Sequence, residues 1–272
     1  MPQPAVSILL PVYNSEKFLR RAMESLINQA FTDFELLIIN DGSSDRSEQI
    51  IQSYTDDRIV YVKNEANKGL IHSLNKGIAL AKGEFVARMD GDDICLPERL
   101  QKQYDWLEKS ASTAVVGCHV SFIDDLESIT GEWKEDVETK SHSQIKKKMC
   151  WENCMAHSSV MVRAEILKQY RYKENQKDTE DYDLWLRLLA DNKVIEKVPE
   201  KLLLYRVHES SITGSILRKS NPFFKLFHCK KRFLQSRFSE GKWGMFETKV
   251  LLTTISNVIM GIGKNVKSII KR

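Results

Sequence analysis

The sequence predicts an α/β protein built on a doubly wound, mostly parallel sheet of the Rossmann-like type, with a basic helical extension at the C-terminus. Three observations lead to this class. Short apolar runs alternate with segments of helical periodicity over the first 110 residues. The runs are almost continuous in apolar residues, which is typical of parallel strands buried on both faces. Basic residues concentrate after residue 214, where acidic residues are rare.

Four apolar runs predict the strands of the first half. The first, Val6–Val12, is expected to stop near Pro11, because proline cannot donate a hydrogen bond to a neighbouring strand. Further runs occupy 35–39, 59–62 and 85–89. The alternating β-α order favours right-handed crossovers, so the loops that follow these strands gather at one edge of the sheet.

The segments between these runs predict helices. Residues 18–27 and 70–80 carry apolar side chains at helical spacing. Asn14 or Ser15 is expected to cap the first of these helices. Residues 45–48 (DRSE) have the spacing of a capping box, which predicts another helix start.

The pattern changes after residue 114. Short strands are predicted at 115–118, 158–162 and 202–207, with a polar excursion at 124–143. A strong helix is predicted at 180–189, with apolar residues along one side.

Glu180 and Asp181 fall in the first turn of that helix, where the helix dipole stabilises anions. They fit two interpretations. They are good N-terminal helix residues, and a carboxylate fixed there and facing a pocket is a candidate general base.

Three carboxylates within four residues, Asp90, Asp92 and Asp93, follow the run at 85–89. In open α/β sheets, ligands bind beyond the carboxyl ends of strands. Clustered carboxylates repel one another unless a cation or hydrogen-bond donors compensate, and hard oxygen ligands suit Mg²⁺ or Mn²⁺. Pro97 fits the first position of a following helix, so the same acids also fit a solvated turn that caps it. The cluster alone does not decide between them.

Two phosphate-binding motifs are absent from the sequence. G-x-G-x-x-G does not follow the first strand, and G-x-x-x-x-G-K-[ST] occurs nowhere. A dinucleotide Rossmann site and a P-loop are therefore disfavoured. Without a glycine cradle, an α/β nucleotide-binding protein needs a metal to hold a diphosphate, and the aspartate cluster can supply its ligands.

The charge of this 272-residue chain is unevenly distributed around a net value of +4. Residues 215–272 hold 13 Lys/Arg against 2 Asp/Glu, a net charge of +11, so the preceding residues carry −7. Apolar residues at helical spacing from Leu251 onward add an apolar stripe to this basic tail. Such a helix suits an anionic membrane surface. A helix that packs on the body of the protein, or on a second subunit of a homodimer, fits equally well.

The N-terminus lacks a basic n-region, so no signal peptide is expected, and no apolar run reaches the roughly 18 residues of a membrane span. The five cysteines are scattered, which fits a reducing cytoplasm. Cys150, Cys154 and His157 form a partial zinc pattern, but buried thiols are the favoured interpretation.

Eight motifs follow one another along residues 5–213: SILLPVYN, NDGSSD, NEANKG, AKGEFV, DGDD, HSSVMVR, TEDYDLWLRL and LYRVHESSIT. In this order they resemble family 2 glycosyltransferases of the GT-A fold. Bacterial members of that family commonly build cell-surface polysaccharide or lipopolysaccharide.

The resemblance implies roles for the residues that match it. Asp41 would accept a hydrogen bond from the nucleotide base, Lys68 would lie near the nucleotide, and Asp181 would be the catalytic base. The base and ribose would be lined by Pro11, Val12, Tyr13 and Glu16.

The DGDD motif would hold the diphosphate through a metal, expected to be Mn²⁺ or Mg²⁺. Asp90 and Gly91 would contact the ribose or the outer shell of the metal. Asp92 would coordinate the metal, Asp93 would support it, and His208 would be an extra contact to the metal or the diphosphate.

The resemblance therefore implies a metal-dependent inverting glycosyltransferase with a nucleotide-sugar donor, expected to be UDP-linked. The acceptor would be a glycan or lipid-linked glycan, and no nucleic-acid partner is expected. The Q-x-x-R-W element of processive synthases is absent, which favours addition of a single sugar. The expected location is the cytoplasm or the inner face of the cell membrane.

The expected domains are a catalytic domain at 1–214 and the basic tail at 215–272. The catalytic domain would comprise a nucleotide-binding half at 1–110 and an acceptor-binding half at 111–214.

Two other functions share some of these features. A sugar nucleotidyltransferase has the same sheet and metal but usually a glycine-rich basic loop after the first strand, which is absent here. A sensor or scaffold that binds nucleotide sugars without catalysis would be expected to lose Asp92 or Asp181, and both are present.

Overall fold

A nine-stranded sheet with helices on both faces accounts for most of residues 3–208 and 221–270, the part of the chain that the computed structural model describes. The strands are β1 (Val6–Val12), β2 (Phe34–Asn40), β3 (Ile59–Lys63), β4 (Phe85–Arg88), β5 (Ile94–Cys95), β6 (Thr113–Ile123), β7 (Ile129–Glu132), β8 (Met161–Arg163) and β9 (Val194–Arg206). The helices are α1 (Leu19–Ile27), α2 (Ser47–Gln52), α3 (Leu70–Leu80), α4 (Arg99–Lys109), α5 (Lys134–Glu138), α6 (His142–Met149), α7 (Ala164–Tyr170), α8 (Glu180–Ala190), α9 (Pro222–Ser239) and α10 (Met245–Ile270).

The strand order is β3-β2-β1-β4-β8-β6-β9-β5, and β7 pairs with β6 outside this path. Strands β3, β2, β1 and β4 are parallel to one another, as predicted. On the other side of β4, β6 and β9 are parallel, whereas β8 and β5 run antiparallel to their neighbours. The predicted fold class is confirmed, and the antiparallel strands lie on the side of the sheet beyond β4, which includes β5 from the first half of the chain.

The sheet is buried on both faces because its strands alternate their side chains between two cores. In β1, Leu9 belongs to the core that contains α3, α7 and α8, while Ile8 and Leu10 belong to the core that contains α1 and α4. All three are essentially inaccessible to solvent. The period of two along a strand thus explains why the run is apolar at every position.

The C-terminal helices pack against the body of the protein. Phe233 of α9 and Val250 of α10 are fully buried in the same core as Trp185 of α8. The prediction that the tail packs on the body of the protein is therefore confirmed for the buried sides of α9 and α10. The predicted boundary between residues 214 and 215 lies outside the described residues, and so do residues 209–213 of the last motif.

Helix α10 also starts earlier than predicted, and it contains a longer apolar segment than expected. It begins at Met245, six residues before the predicted apolar stripe. Contrary to the expectation, its segment Met245–Ile262 is long and apolar enough to cross a membrane by length and composition, although 39% of that segment is buried in the protein.

The predicted helix caps are wrong at both sites in the first half. Helix α1 starts after Phe18 with no side-chain cap, because Asn14 adopts a positive φ and its Oδ1 accepts from the Ser44 amide. Helix α2 has no capping box. Glu48 instead binds Lys63 of β3, at 2.6 Å.

Several predicted boundaries also differ. Pro97 lies in a turn two residues before α4, because Glu98 is the N-cap. The segment predicted as a strand from residue 158 begins as a 3₁₀ turn over His157–Ser159. The polar excursion at 124–143 contains β7, α5 and the start of α6. Strands β6 and β9 are longer than predicted because they pair with each other along most of their length.

Candidate functional site

The carboxyl ends of β1, β2 and β4 lie side by side, and most of the predicted site residues follow them. The Asp41 amide donates to the Val12 carbonyl at 2.8 Å, and the Met89 amide donates to the Leu9 carbonyl at 3.1 Å. Pro11 and Val12, at the end of β1, therefore lie between the loop that starts at Asp41 and the acidic turn. The parallel topology brings these loops to one edge, as predicted.

The acidic turn brings three carboxylates together. One ligand oxygen each of Asp90, Asp92 and Asp93 lies within 4.8 Å of the others. Asp90 forms an ion pair with Arg88, which is buried at the end of β4. Asp92 lies 2.9 Å from Nε2 of His208, measured to its Oδ2. Asp92 and His208, two predicted metal contacts that lie 116 residues apart in the sequence, are thus neighbours in the structure.

Asp93 is the most enclosed of the three acids. Its Oδ2 accepts a hydrogen bond from the Ser158 hydroxyl, and its Oδ1 accepts from the Arg206 amide at 2.8 Å. The Arg206 side chain in turn donates from Nε to the Asp92 carbonyl at 2.8 Å. These contacts fasten the acidic turn to the end of β9 and leave Asp92 as the more accessible carboxylate.

Burial and mutual repulsion disfavour the charged forms in this turn. Burial raises the pKa of Asp90, the Arg88 guanidinium opposes that rise, and the Asp92 carboxylate adds to it. Burial also raises the pKa of Asp93 well above its usual range, with Asp92 and Asp90 adding to the effect. A divalent cation would offset this repulsion, and carboxylate oxygens are the ligands that Mg²⁺ and Mn²⁺ prefer. The residues present therefore fit a divalent metal.

Asp41 organises the loop that carries Lys68. Its buried carboxylate accepts from the Asn64 side chain at 2.7 Å, from the Lys68 amide at 3.0 Å and from the Gly69 amide at 2.8 Å. Gly69 has a φ of 93°, a conformation that favours glycine. The two predicted nucleotide contacts, Asp41 and Lys68, are thus held in one loop cluster.

The loop after β1 is tied to the loop after β2. Glu16 accepts hydrogen bonds from the amide and the Nε of Arg46, at 3.0 and 3.1 Å. Tyr13 is half exposed at the open side of the edge, and Gly91 of the acidic turn lies against Ser15. A Cβ at Gly91 would come within 3.3 Å of the Ser15 hydroxyl, so these two loops pack closely.

Asp181 lies at the start of α8 and is held by two hydrogen bonds. The Asn153 side chain donates to its Oδ2 at 2.7 Å, and the Tyr182 amide donates to its Oδ1 at 2.7 Å. Burial raises the pKa of Asp181, and these two hydrogen bonds and the Arg88 charge oppose that rise. Burial, followed by repulsion from Asp181, raises the pKa of the neighbouring Glu180 to about 7. The arrangement supplies a carboxylate with increased proton affinity.

Arg88 connects the two groups of acids electrostatically. Its positive charge lowers the pKa of Asp90 and also that of Asp181. Its Nε is buried without a hydrogen-bond partner among the described residues. Arg88 was not among the predicted site residues, although an arginine in a buried strand just before an acidic turn is a signal for a partner carboxylate.

Asn153 and Arg206 were not predicted either. Asn153 lies in an irregular loop after α6, where nothing in the local sequence points to Asp181. Arg206 carries a stronger signal, because it is a charged residue in an otherwise apolar run. It is almost fully buried, with its guanidinium 4.4 Å from the centroid of the Phe18 ring.

Comparisons with known proteins agree with this arrangement. Residues 7–171 match the family model described as glycosyl transferase family 2. An uncharacterized glycosyltransferase of Methanocaldococcus jannaschii is 37% identical over 211 residues, which cover 76% of this chain and 72% of that protein. The O-antigen biosynthesis glycosyltransferase WbnJ of Escherichia coli is 32% identical over 217 residues, 78% of this chain and 83% of that protein.

Two solved structures share the fold. S. aureus TarS 1–349 in complex with UDP-GlcNAc superposes with a TM-score of 0.74 at 19% identity, covering 93% of this chain and 72% of that one. The mannosyltransferase PcManGT from Pyrobaculum calidifontis, in complex with GDP-Man and Mn²⁺, gives a TM-score of 0.66 at 14% identity over 96% of this chain and 76% of that one. The GT-A fold is therefore shared with enzymes whose sequences have diverged widely.

Proposed function

Because this chain belongs to glycosyl transferase family 2, we propose that it transfers a single sugar, with inversion, from a nucleotide-diphosphate donor to a hydroxyl of a glycan or lipid-linked glycan. One observation carries the proposal. Three carboxylates meet within 4.8 Å at the carboxyl edge of the sheet, and a further, partly buried carboxylate, Asp181, opens α8. A transferase of this kind needs both a diphosphate site and a base.

A divalent metal, Mn²⁺ or Mg²⁺, would be held by Asp92, with His208 as a neighbouring contact and Asp90 in its outer shell. It would supply Lewis-acid stabilisation of the negative charge on the leaving diphosphate. Asp93 would act chiefly by holding the turn in place, since both of its oxygens already accept hydrogen bonds. The complex of PcManGT with GDP-Man and Mn²⁺ supports this choice of metal.

The donor would lie over the carboxyl ends of β1 and β2. Pro11, Val12, Tyr13 and Glu16 would line the base and ribose, with Gly91 beside the ribose. Asp41 would accept from the base in addition to the three hydrogen bonds that it already accepts, because a carboxylate has about four acceptor sites. Lys68 would lie near the nucleotide. The half-exposed ring of Tyr13 supports this placement, because an accessible aromatic face can stack on a base.

Asp181 would take the proton from the acceptor hydroxyl. The hydroxyl oxygen forms a bond to the anomeric carbon while the bond from that carbon to the phosphate oxygen breaks. The nucleoside diphosphate leaves with the bonding electrons, and the proton goes to the Asp181 carboxylate. Attack opposite the leaving group, with no covalent enzyme intermediate, inverts the anomeric centre. The raised pKa of Asp181 suits this role, because a general base works best when its pKa is near the working pH.

The donor is proposed to be UDP-linked, and the UDP-GlcNAc bound to TarS supports that choice. The acceptor is proposed to belong to surface polysaccharide or lipopolysaccharide synthesis, which the likeness to an O-antigen glycosyltransferase supports. A cytoplasmic location is also proposed. Five free cysteines, all buried, fit a reducing compartment.

The test is a thermal unfolding screen with a panel of nucleotide sugars, each with and without Mn²⁺. One donor is expected to raise the melting temperature only with the metal, because a ligand at 100 times its Kd stabilises the folded state by about 2.7 kcal/mol. Release of the nucleoside diphosphate in the presence of acceptor then measures turnover.

Asp92→Asn is expected to abolish the metal-dependent stabilisation and the turnover without lowering the melting temperature of the free protein, because it removes a charge that repels Asp90 and Asp93. Asp57→Asn, at an exposed acid away from the site, serves as the matched control. Undiminished turnover in Asp92→Asn would remove the metal role from this residue.

A further inference from the structure

The outward face of α10 is apolar and exposed. Leu252, Ile255 and Ile259 are 63%, 53% and 67% accessible to solvent. They repeat at three- and four-residue intervals, so they form one stripe along the helix. Met245, Leu251 and Ile262 extend this stripe, and the six residues together make up the outward face.

The opposite face of α10 is fixed to the protein. Val250 is fully buried, and the Asn257 side chain accepts from the Lys230 ammonium of α9 at 2.7 Å. The same ammonium donates to the Thr253 hydroxyl at 3.1 Å. A helix that crossed a bilayer would have to give up these buried polar contacts, which are costly to leave unsatisfied in lipid. The helix is therefore placed to lie along a surface.

The charges around the outward face are mostly basic. Lys242, in the turn before α10, and Lys249, in the second turn of α10, are exposed. Of the two acids in residues 215–272, Glu247 is buried against Arg237 at 2.8 Å, and Glu240 is paired with Lys242 at 3.1 Å. The exposed Trp243 lies in the turn between α9 and α10, and tryptophan is enriched at membrane interfaces.

We propose that the outward face of α10 docks on an anionic membrane surface. An apolar stripe flanked by basic residues matches the boundary between acyl chains and acidic headgroups. A second copy of this chain is a poorer occupant, because its own tail carries the same net charge of +11 and would repel this one. The occupant is thus assigned by charge complementarity.

The docked helix is bonded directly to the loop beside Asp181. The Thr253 hydroxyl donates to the Cys150 carbonyl, and Lys230 donates to the Trp151 carbonyl at 2.8 Å. Two residues farther along, Asn153 holds Asp181. Docking would therefore bring Asp181, where the acceptor hydroxyl would react, close to the bilayer. This consequence rests on the proposed function, and it points to a lipid-anchored acceptor.

The test is co-sedimentation of the full chain with vesicles of phosphatidylglycerol and phosphatidylcholine, and with vesicles of phosphatidylcholine alone. The wild-type protein is expected to bind the anionic vesicles, to bind less in high salt, and to remain mostly unbound with the neutral ones. The triple variant Leu252→Glu/Ile255→Glu/Ile259→Glu is expected to partition at least about tenfold more weakly, a change of about 1.4 kcal/mol.

The matched control is Leu126→Glu/Ile129→Glu, at two apolar residues that are 85% and 71% accessible but lie near β7, away from α10. This variant should bind vesicles like the wild-type protein. Asp92→Asn should also bind them, since docking does not require transfer. A failure of the proposed function therefore leaves the docking result intact.

Three results would overturn the proposal. Wild-type protein could stay in the supernatant with anionic vesicles at low salt, or the triple variant could bind as tightly as the wild-type protein. Sedimentation equilibrium could also reveal a dimer that the triple variant dissociates while vesicle binding is absent, which would assign the outward face to a second copy.

Discussion

At the scale of single residues, two adjacent carboxylates at the start of α8 have different surroundings. Asp181 accepts two hydrogen bonds at 2.7 Å, which favour its ionised form. Burial raises the pKa of Glu180 to about 7, so much of Glu180 is protonated at neutral pH. Different environments of this kind separate the roles of neighbouring acids. Access separates these two, because Glu180 is buried whereas Asp181 is only partly buried, and the more accessible Asp181 is therefore the proposed base.

Asp181→Asn is therefore expected to slow transfer by at least about 10²-fold while the affinity for the donor stays unchanged. Glu180→Gln is the matched control and should retain most of the rate, because glutamine resembles the protonated acid. The measurements are kcat and donor Kd for both variants. The reverse pattern, with Glu180→Gln inactive and Asp181→Asn active, would assign the base to Glu180.

The hydrogen bond from Asn153 gives a pH-dependent prediction. It lowers the pKa of Asp181, so Asn153→Ala should raise that pKa. A base works only when ionised, so its activity is lost as the pH falls through its pKa in the folded protein. The acidic limb of kcat/KM should therefore move to higher pH in Asn153→Ala.

Asn175→Ala, at an exposed asparagine, is the control for the pH profile and should leave it unchanged. A merely structural role for Asn153 would lower activity at all pH values without moving the limb, and that outcome would contradict the prediction.

At the scale of secondary-structure elements, Lys230 joins α9, α10 and the loop after α6. Its ammonium is fully buried and donates to Trp151, Thr253 and Asn257. Burial lowers the pKa of Lys230 to about 8, which reflects the cost of keeping a charge in this position. The three hydrogen bonds offset part of that cost and fix the direction in which α10 lies.

Lys230→Met is expected to destabilise the protein by about 1–3 kcal/mol, because it leaves buried acceptors without a donor. Lys231→Met, at the exposed neighbouring lysine, should change the stability by less than about 0.5 kcal/mol. Urea unfolding of both variants measures the difference. Equal midpoints for Lys230→Met and the wild-type protein would show that the three hydrogen bonds donated by Lys230 contribute nothing to stability.

At the scale of the whole molecule, the tail is part of the fold. Cys229, Phe233, Phe246 and Val250 belong to the same buried core as α8. Removing the tail would expose this core, so a shortened chain would test folding rather than docking. The outward face of α10 therefore has to be examined by point substitutions in the full chain.

The sequence by itself determined the first half of the sheet and the edge at which the site forms. Strands β1 to β4 are short apolar runs, and their order along the chain fixes parallel crossovers of one hand. Those two local facts are enough to bring Asp41 and the acidic turn to the same edge. The start of α8, with Asp181, was predictable for the same reason, because helical periodicity is read within one segment.

Only the tertiary structure decided the partners of these residues. Asp93 bonds to Arg206, 113 residues away, and Asp92 lies beside His208, 116 residues away. The antiparallel pairing of β8 and β5 and the burial of one face of α10 are likewise set by packing between distant segments. Local periodicity cannot specify such contacts, because each depends on which surface the rest of the fold presents, and that surface exists only once the chain has folded.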